Sequence, residues 1–226
     1  MMDWIILAGG KSERLKPFFD GPKALIEVAG KTLIERQIDK ILPNAIRILI
    51  SLGHKGTEVV DFIKKTYPDE YGTKIICVIE PEPLGTGGAL KYIIDKMDVS
   101  KIFFLINCDD LTDFDPMDMY TIDGSAIALG NFRCPYGVVH TNGNQIVSFQ
   151  QKPILKDIWV SIGHYKLHRP EIYPLLRDKC SLEDSVFPKM TLYAYKQRGV
   201  WFTVNDKKQL DEAEEFYGKN QRSNTK

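Results

Sequence analysis

The chain has 226 residues, 43% hydrophobic and 27% charged, the proportions of a soluble globular protein with one large domain or two small ones. Thirty acidic and thirty basic side chains cancel, so no overall field favours nucleic acid or an anionic membrane, although a local basic site for phosphates stays open. The four cysteines lack metal-type spacing, and the opening MMDWIILAGG has no basic flank and too short an apolar run for a signal peptide or membrane span, so the expected compartment is the cytoplasm.

In chain order, Trp4 to Leu7 reads as a buried strand ending at Gly9-Gly10. Thr32 to Ile41 follows as a helix, with Leu33, Ile34, Ile38 and Ile41 at helical spacing. Ile46 to Ser51 is a second strand, Glu58 to Lys65 a helix, Lys74 to Ile79 a third strand, Thr86 to Asp95 a helix and Lys101 to Ile106 a fourth strand. This alternation predicts an α/β fold, a Rossmann-like, mostly parallel sheet with helices on both faces. In the second half, Val138 to His140 and Gln145 to Phe149 flank the hairpin signal Asn142-Gly143. Ile158 to Leu167 reads as a strand, and Tyr193 to Arg198 with Trp201 to Val204 as a second hairpin around Gly199. Lys207 to Tyr217 closes the fold as a helix, with Leu210, Ala213, Glu214 and Tyr217 on one side, and 218–226 reads as a frayed polar tail. Residues 1–217 are thus expected to form one domain, with a small antiparallel lobe over the carboxyl edge of the sheet, where ligands of open α/β sheets sit.

Three segments at that edge carry chemistry. In LAGGKSERL, Gly9 and Gly10 let the backbone approach phosphate oxygens, and Arg14 and Lys23 add cations; the alternative is a turn with two solvated basic residues. Gly85, Gly87 and Gly88 leave room for a flat base against the backbone, or mark a plain strand-to-helix loop. Asn107-Cys108-Asp109-Asp110 puts carboxylates at a strand end, where Mg²⁺ bridging phosphates is held, or forms an Asx turn.

With these segments in order, the sequence resembles the sugar-1-phosphate nucleotidyltransferases that make nucleotide sugars. Their GGxGxRLxP…PK signature is matched by Gly9, Gly10, Arg14, Leu15, Pro17, Pro22 and Lys23; LGTGGA by Leu84 to Ala89; and a strand-end NGD by Asn107-Cys108-Asp109. YGVV (Tyr136 to Val139), FxEKP (Phe149 to Pro153) and LED-xx-FP (Leu182 to Pro188) are similar too. The chain looks most like the short guanylyltransferases acting on mannose-1-phosphate or a manno-heptose-1-phosphate, without room for the carboxy-terminal β-helix of some relatives. The resemblance implies a Mg²⁺-dependent enzyme whose partners are small molecules, a nucleoside triphosphate and a sugar-1-phosphate, rather than nucleic acid or membrane; it leaves a homo-oligomer open.

The resemblance also implies roles. Leu7, Ala8, Gly9, Gly10, Glu80, Gly85 and Thr86 fall at nucleotide-binding positions; Arg14 serves the triphosphate, Lys23 both phosphates, and Asp109 the metal. Tyr136, Gly137, Gln151, Lys152, Ser161 and Glu183 fall at sugar-phosphate positions, with Lys152 as a point charge for the phosphate. Three residues depart from the pattern: Gln151 replaces a glutamate, Ser161 an asparagine, and Thr203 the second metal-binding aspartate of WxDxGT. Val204-Asn205-Asp206 resembles the N-acetylglucosamine-1-phosphate uridylyltransferases, where an asparagine supplies that ligand, so Asn205 is the expected second ligand and Asp206 the reserve; the alternative is that Asn205 caps the last helix. Glu80, five residues before Gly85, can accept from the N1–H and N2–H₂ edge of guanine, whereas uracil would set a carbonyl against its charge. GTP is therefore expected; UTP, dTTP or CTP, a molybdopterin- or cobinamide-type acceptor, and a non-catalytic nucleotide-binding subunit are the alternatives.

Overall fold

The computed structural model describes residues 2–16 and 18–223; Pro17 of the opening signature and the last residues of the polar tail, 224–226, lie outside them. The strands are β1 (Met2–Leu7), β2 (Glu27–Val28), β3 (Lys31–Thr32), β4 (Ala45–Leu52), β5 (Ile75–Ile79), β6 (Ile102–Asn107), β7 (Asp110–Thr112), β8 (Ala126–Arg133), β9 (Gly137–Asn142), β10 (Gln145–Gln151), β11 (Ile154–His168), β12 (Tyr193–Lys196) and β13 (Trp201–Thr203). The α-helices are α1 (Leu33–Ile41), α2 (Gly56–Thr66), α3 (Gly85–Lys96), α4 (Arg169–Ile172) and α5 (Lys207–Ser223).

Seven strands form the main sheet in the order β12-β8-β11-β6-β1-β4-β5. Neighbours pair in parallel except where β11 runs against β6 and β8. The period-2 pattern of strands buried on both faces explains the layering. Trp4, Ile6, Phe104 and Ile106 face one core with Ile34 and Ile38 of α1 and Val59 and Ile63 of α2. Ile5, Phe103 and Leu105 face the other, with Leu90 and Ile93 of α3. Trp4 and Phe104 stack across neighbouring strands at 4.3 Å between ring centres. α1 starts where expected because Thr32 and Glu35 form a reciprocal capping box.

Register brings the strand ends level, and this builds the site. Leu7 lies opposite Ser51 in β4 and Asn107 in β6. Beyond the ladder, Ala8 N donates to Ser51 O (2.8 Å), Cys108 N to Leu7 O (3.0 Å) and Glu80 N to Leu52 O (2.8 Å). The loops after β1, β4, β5 and β6 therefore leave the sheet side by side. The Asn142-Gly143 hairpin forms as β9–β10, a two-stranded antiparallel ribbon outside the main sheet.

Three expectations need correction. Tyr193–Arg198 and Trp201–Val204 do not pair around Gly199: β12 joins β8 in parallel, and β13 pairs antiparallel with β7. Asp113 holds the intervening loop, its Oδ1 accepting from Val200 N at 2.7 Å, and steers the chain away from β12. The tail is not frayed from residue 218: α5 runs to Ser223, assisted by i,i+4 ion pairs such as Lys219–Glu215 at 2.6 Å. On α5, Ala213 is buried and Leu210 and Tyr217 pack on the core, but Glu214 is exposed. Ala126–Arg133, unmarked by the sequence pattern because Gly130 interrupts its apolar run, is an interior strand of the sheet.

Candidate active site

A cleft of about 680 Å³ opens at the carboxyl edge of the sheet. Of the expected nucleotide-binding residues, Leu7, Gly9, Gly10, Glu80, Gly85 and Thr86 line it, as does Asp109. Ala8 is buried behind this surface. Lys11, Gly53, His54, Glu82 and Asn107 also line the cleft. Gly53 and His54 belong to no motif in the sequence; the rule that ligands sit beyond the carboxyl ends of strands could have found them, because β4 ends at Leu52.

Glu80 stands where β5 ends. Its Oε1 accepts from Ser51 Oγ at 2.8 Å and its Oε2 from Leu84 N at 3.3 Å. A carboxylate has about four lone-pair sites, so this anchoring leaves acceptor capacity for a ligand. Two of the glycines that follow make room for a neighbouring segment. A Cβ on Gly87 would come 2.5 Å from Cys180 Sγ, and one on Gly88 would come 2.5 Å from Asp178 O. Their absent side chains admit residues 178–182, and Gly87 N donates to Cys180 O at 2.9 Å. Thr86 completes this joint: its hydroxyl donates to Glu183 Oε2 (2.8 Å) and accepts from Leu182 N (2.8 Å). Glu183, expected to serve the sugar, is thus tied to Thr86 in the cleft wall.

Lys23 begins a short 3-10 turn after Pro22, which carries it to the loop after β6. Its ammonium donates to Asp109 Oδ2 and, at 2.6 Å, to Asn205 Oδ1. Two oxygens from distant parts of the chain therefore converge on one cation. Asn205 does not cap α5. Asp206 does so, its Oδ1 accepting from Gln209 N at 2.9 Å, which leaves the Asn205 amide to face Lys23. Asp110 points the other way. Its carboxylate accepts from Asn107 Nδ2 (3.0 Å) and Trp201 Nε1 (3.3 Å), and burial, with the Asp109 charge, pushes its pKa up to about 6.

Not every expected residue joins the cleft. Arg14 is exposed in the turn after the glycines and has no hydrogen-bonding or ionic partner among the described residues. Tyr136, Gly137, Gln151 and Lys152 lie exposed at one end of the β9–β10 ribbon, where Lys152 N donates to Tyr136 O at 3.2 Å. Ser161, on β11, donates from its hydroxyl to Tyr165 OH at 3.2 Å.

Among the described residues no three His, Cys, Asp or Glu side chains cluster as for a metal. A hard cation that keeps most of its own waters asks less, one or two oxygen donors. Asp109 and Asn205 offer two such oxygens, with the Lys23 ammonium between them.

Residues 4–222 match the family model described as nucleotidyl transferase. The chain belongs to that family. Among the curated relatives, mannose-1-phosphate guanyltransferase 2 of Candida glabrata is 32% identical over 92% of the chain. The chain spans 62% of that protein's length. The bifunctional protein GlmU of Methanococcus maripaludis is 28% identical over 88% of the chain, which covers 50% of it. Among solved structures, HddC from Yersinia pseudotuberculosis, complexed with GMP-PN, superposes with a TM-score of 0.74 at 28% identity, over 96% of this chain and all of that one.

Proposed function

We propose that this chain transfers GMP from GTP to a mannose- or manno-heptose-type sugar-1-phosphate, releasing pyrophosphate. The observation that carries the reading is the convergence of Asp109 and Asn205 on one cation beside the cleft. A GMP-PN complex of a structural neighbour and a mannose-1-phosphate guanyltransferase among the relatives support guanine and the sugar class.

In the reaction a sugar-phosphate oxygen attacks the α-phosphorus and the bond to the pyrophosphate oxygen breaks. Two anions must be brought together, so the protein's work is positioning and charge neutralisation. Asp109 and Asn205 would hold Mg²⁺, which supplies positive charge at the triphosphate oxygens. Lys23, released from those two groups, follows the negative charge onto the phosphates, as Arg14 does from the exposed turn. Glu80 accepts from the guanine edge while Ser51 and Leu84 N keep its carboxylate in place. Lys152 and Tyr136 receive the sugar phosphate from the ribbon, with Gly137, Gln151, Ser161 and Glu183 completing that side. Residues 1–217 act as one transferase domain. A reducing cytoplasmic setting suits the four unpaired cysteines, of which burial pushes Cys77 up to about 12 and Cys108 higher still.

Pyrophosphate release, measured for four nucleoside triphosphates against a panel of sugar-1-phosphates, tests the proposal. GTP with a mannose-type acceptor should give the highest kcat/KM, and chelation of divalent metal should stop release. A preference for UTP, dTTP or CTP would overturn the guanylyl assignment. Binding of GTP without release from any acceptor would make the chain a nucleotide-binding subunit.

A further inference from the structure

Thr203 ends β13, where the β7–β13 register sets it opposite Asp110. Its hydroxyl lies close enough to the Asp110 carboxylate to favour the charged form, and its Oγ1 accepts from Asn205 Nδ2 at 2.7 Å. With that NH₂ group engaged, Asn205 Oδ1 faces the opposite way, onto the Lys23 ammonium at 2.6 Å. The start of this chain is itself held firmly. Asn107 and Trp201 donate to the Asp110 carboxylate, and Gln37 Nε2 donates to Asp110 O at 2.9 Å. Gly163, at φ +69°, makes room for it; a Cβ there would overlap the Asp110 carboxylate.

The polarity of the chain matters because an amide has two unlike ends. Rotated by half a turn, Asn205 would aim an NH₂ group at a cation. Asp110 already collects donors, so the Thr203 proton goes to it and the Thr203 lone pairs take the amide NH₂. We propose that Thr203 is a positioning residue that fixes the Asn205 amide with its carbonyl oxygen on the cation position. A carboxylate, with two equivalent oxygens, would need no such hydroxyl. The inference rests on the reading of Asp109 and Asn205 as metal ligands.

The test is Mn²⁺ affinity by electron paramagnetic resonance, without substrates, in the Lys23→Met background so that the ammonium does not compete. Thr203→Val should weaken Mn²⁺ binding about tenfold or more, as for other groups that orient a ligand, and Thr203→Ser should restore it. Thr203→Ala removes the same hydroxyl with less bulk and should reproduce the loss if the valine variant does not fold. With Asn205→Asp also present, Thr203→Val should leave the affinity unchanged. Undiminished affinity in Thr203→Val, or an equal loss with and without Asn205→Asp, overturns the inference. The Asn205→Ala control separates the two readings. If it loses Mn²⁺ while Thr203→Val keeps it, the orienting role alone falls. If it binds Mn²⁺ normally, or if the Lys23→Met protein binds none, the metal reading falls and the inference with it.

Discussion

Lys23 and Glu80 are each braced by two protein partners at or beside the cleft. The Lys23 ammonium, largely buried, has two oxygen partners, which the proposed reaction has it exchange for phosphates. Lys23→Ala should therefore lower kcat/KM by about 100-fold or more, the range for preorganised charge stabilisers. Steady-state kinetics with GTP checks this, and unaltered kcat/KM would reduce Lys23 to an ion-pair partner of Asp109. Glu80 carries a different burden, since its two oxygens already brace Ser51 and Leu84 N. Glu80→Gln keeps the size but offers one donor and one acceptor, so the preference for GTP over UTP should shrink by about 10-fold, one to two kcal/mol of unpaired edge. Nucleotide competition on parent and variant measures the ratio; an unchanged ratio would place the base elsewhere.

At the scale of elements, the joint between α3 and residues 178–182 decides the shape of one cleft wall. Gly88 illustrates two opposing effects. Alanine in a helix gains about 1 kcal/mol over glycine, but overpacking against a fixed backbone costs about 1–3 kcal/mol. The added Cβ would lie 2.5 Å from Asp178 O and 3.0 Å from Leu84 Cβ, so the clash should win. Gly88→Ala should lower the urea midpoint and also weaken GTP binding, because Leu84, Gly85 and Thr86 of the cleft move with it. A stabilised variant with parental GTP affinity would show that the joint yields cheaply.

For the whole molecule, balanced charge leaves the pH response to buried groups. His164 sits on β11 opposite Ile106, edge-on to Phe114, its Nε2 without a hydrogen-bond partner among the described residues. Burial presses its pKa to about 3 from 6.5, with Lys40 acting the same way. The unfolded chain takes up this proton first, so the contribution is complete above pH 6.5 and is lost as pH falls from 6.5 towards 3. Asp110 works in the opposite sense, since its raised pKa lets the folded state bind a proton first between about 6 and 3.8. His164→Leu keeps the Asp110 effect and removes the other. Its stability should fall less steeply on acidification than the parent's, by up to about 1.4 kcal/mol per pH unit. Urea unfolding of both proteins at pH 7, 6 and 5 gives the difference, and parallel curves would mean that His164 titrates normally.

Much of this was legible in the residues themselves because it depends on local physics. Apolar spacing marked α1, β1 and β6, and Asn142-Gly143 marked a hairpin. Order along the chain, with one glycine loop after each of two strands and an aspartate after a third, located the cleft at the carboxyl edge. Pairing between distant segments was not legible. Nothing near Gly199 announces that Asp113 will capture Val200 and send Trp201–Thr203 to β7. Nor does the glycine pattern of α3 announce that Gly87 and Gly88 admit residues 178–182 against the helix. Asn205, the expected ligand, read almost as well as the cap of the last helix until the fold set Asp206 on Gln209 N and the Asn205 amide on Lys23. Sequence determined the sheet, its helices and the edge where a ligand binds, since hydrophobic period and turn chemistry act over a few residues. Tertiary structure decided which oxygen meets which cation, because that depends on register and on groups brought together from opposite ends of the chain.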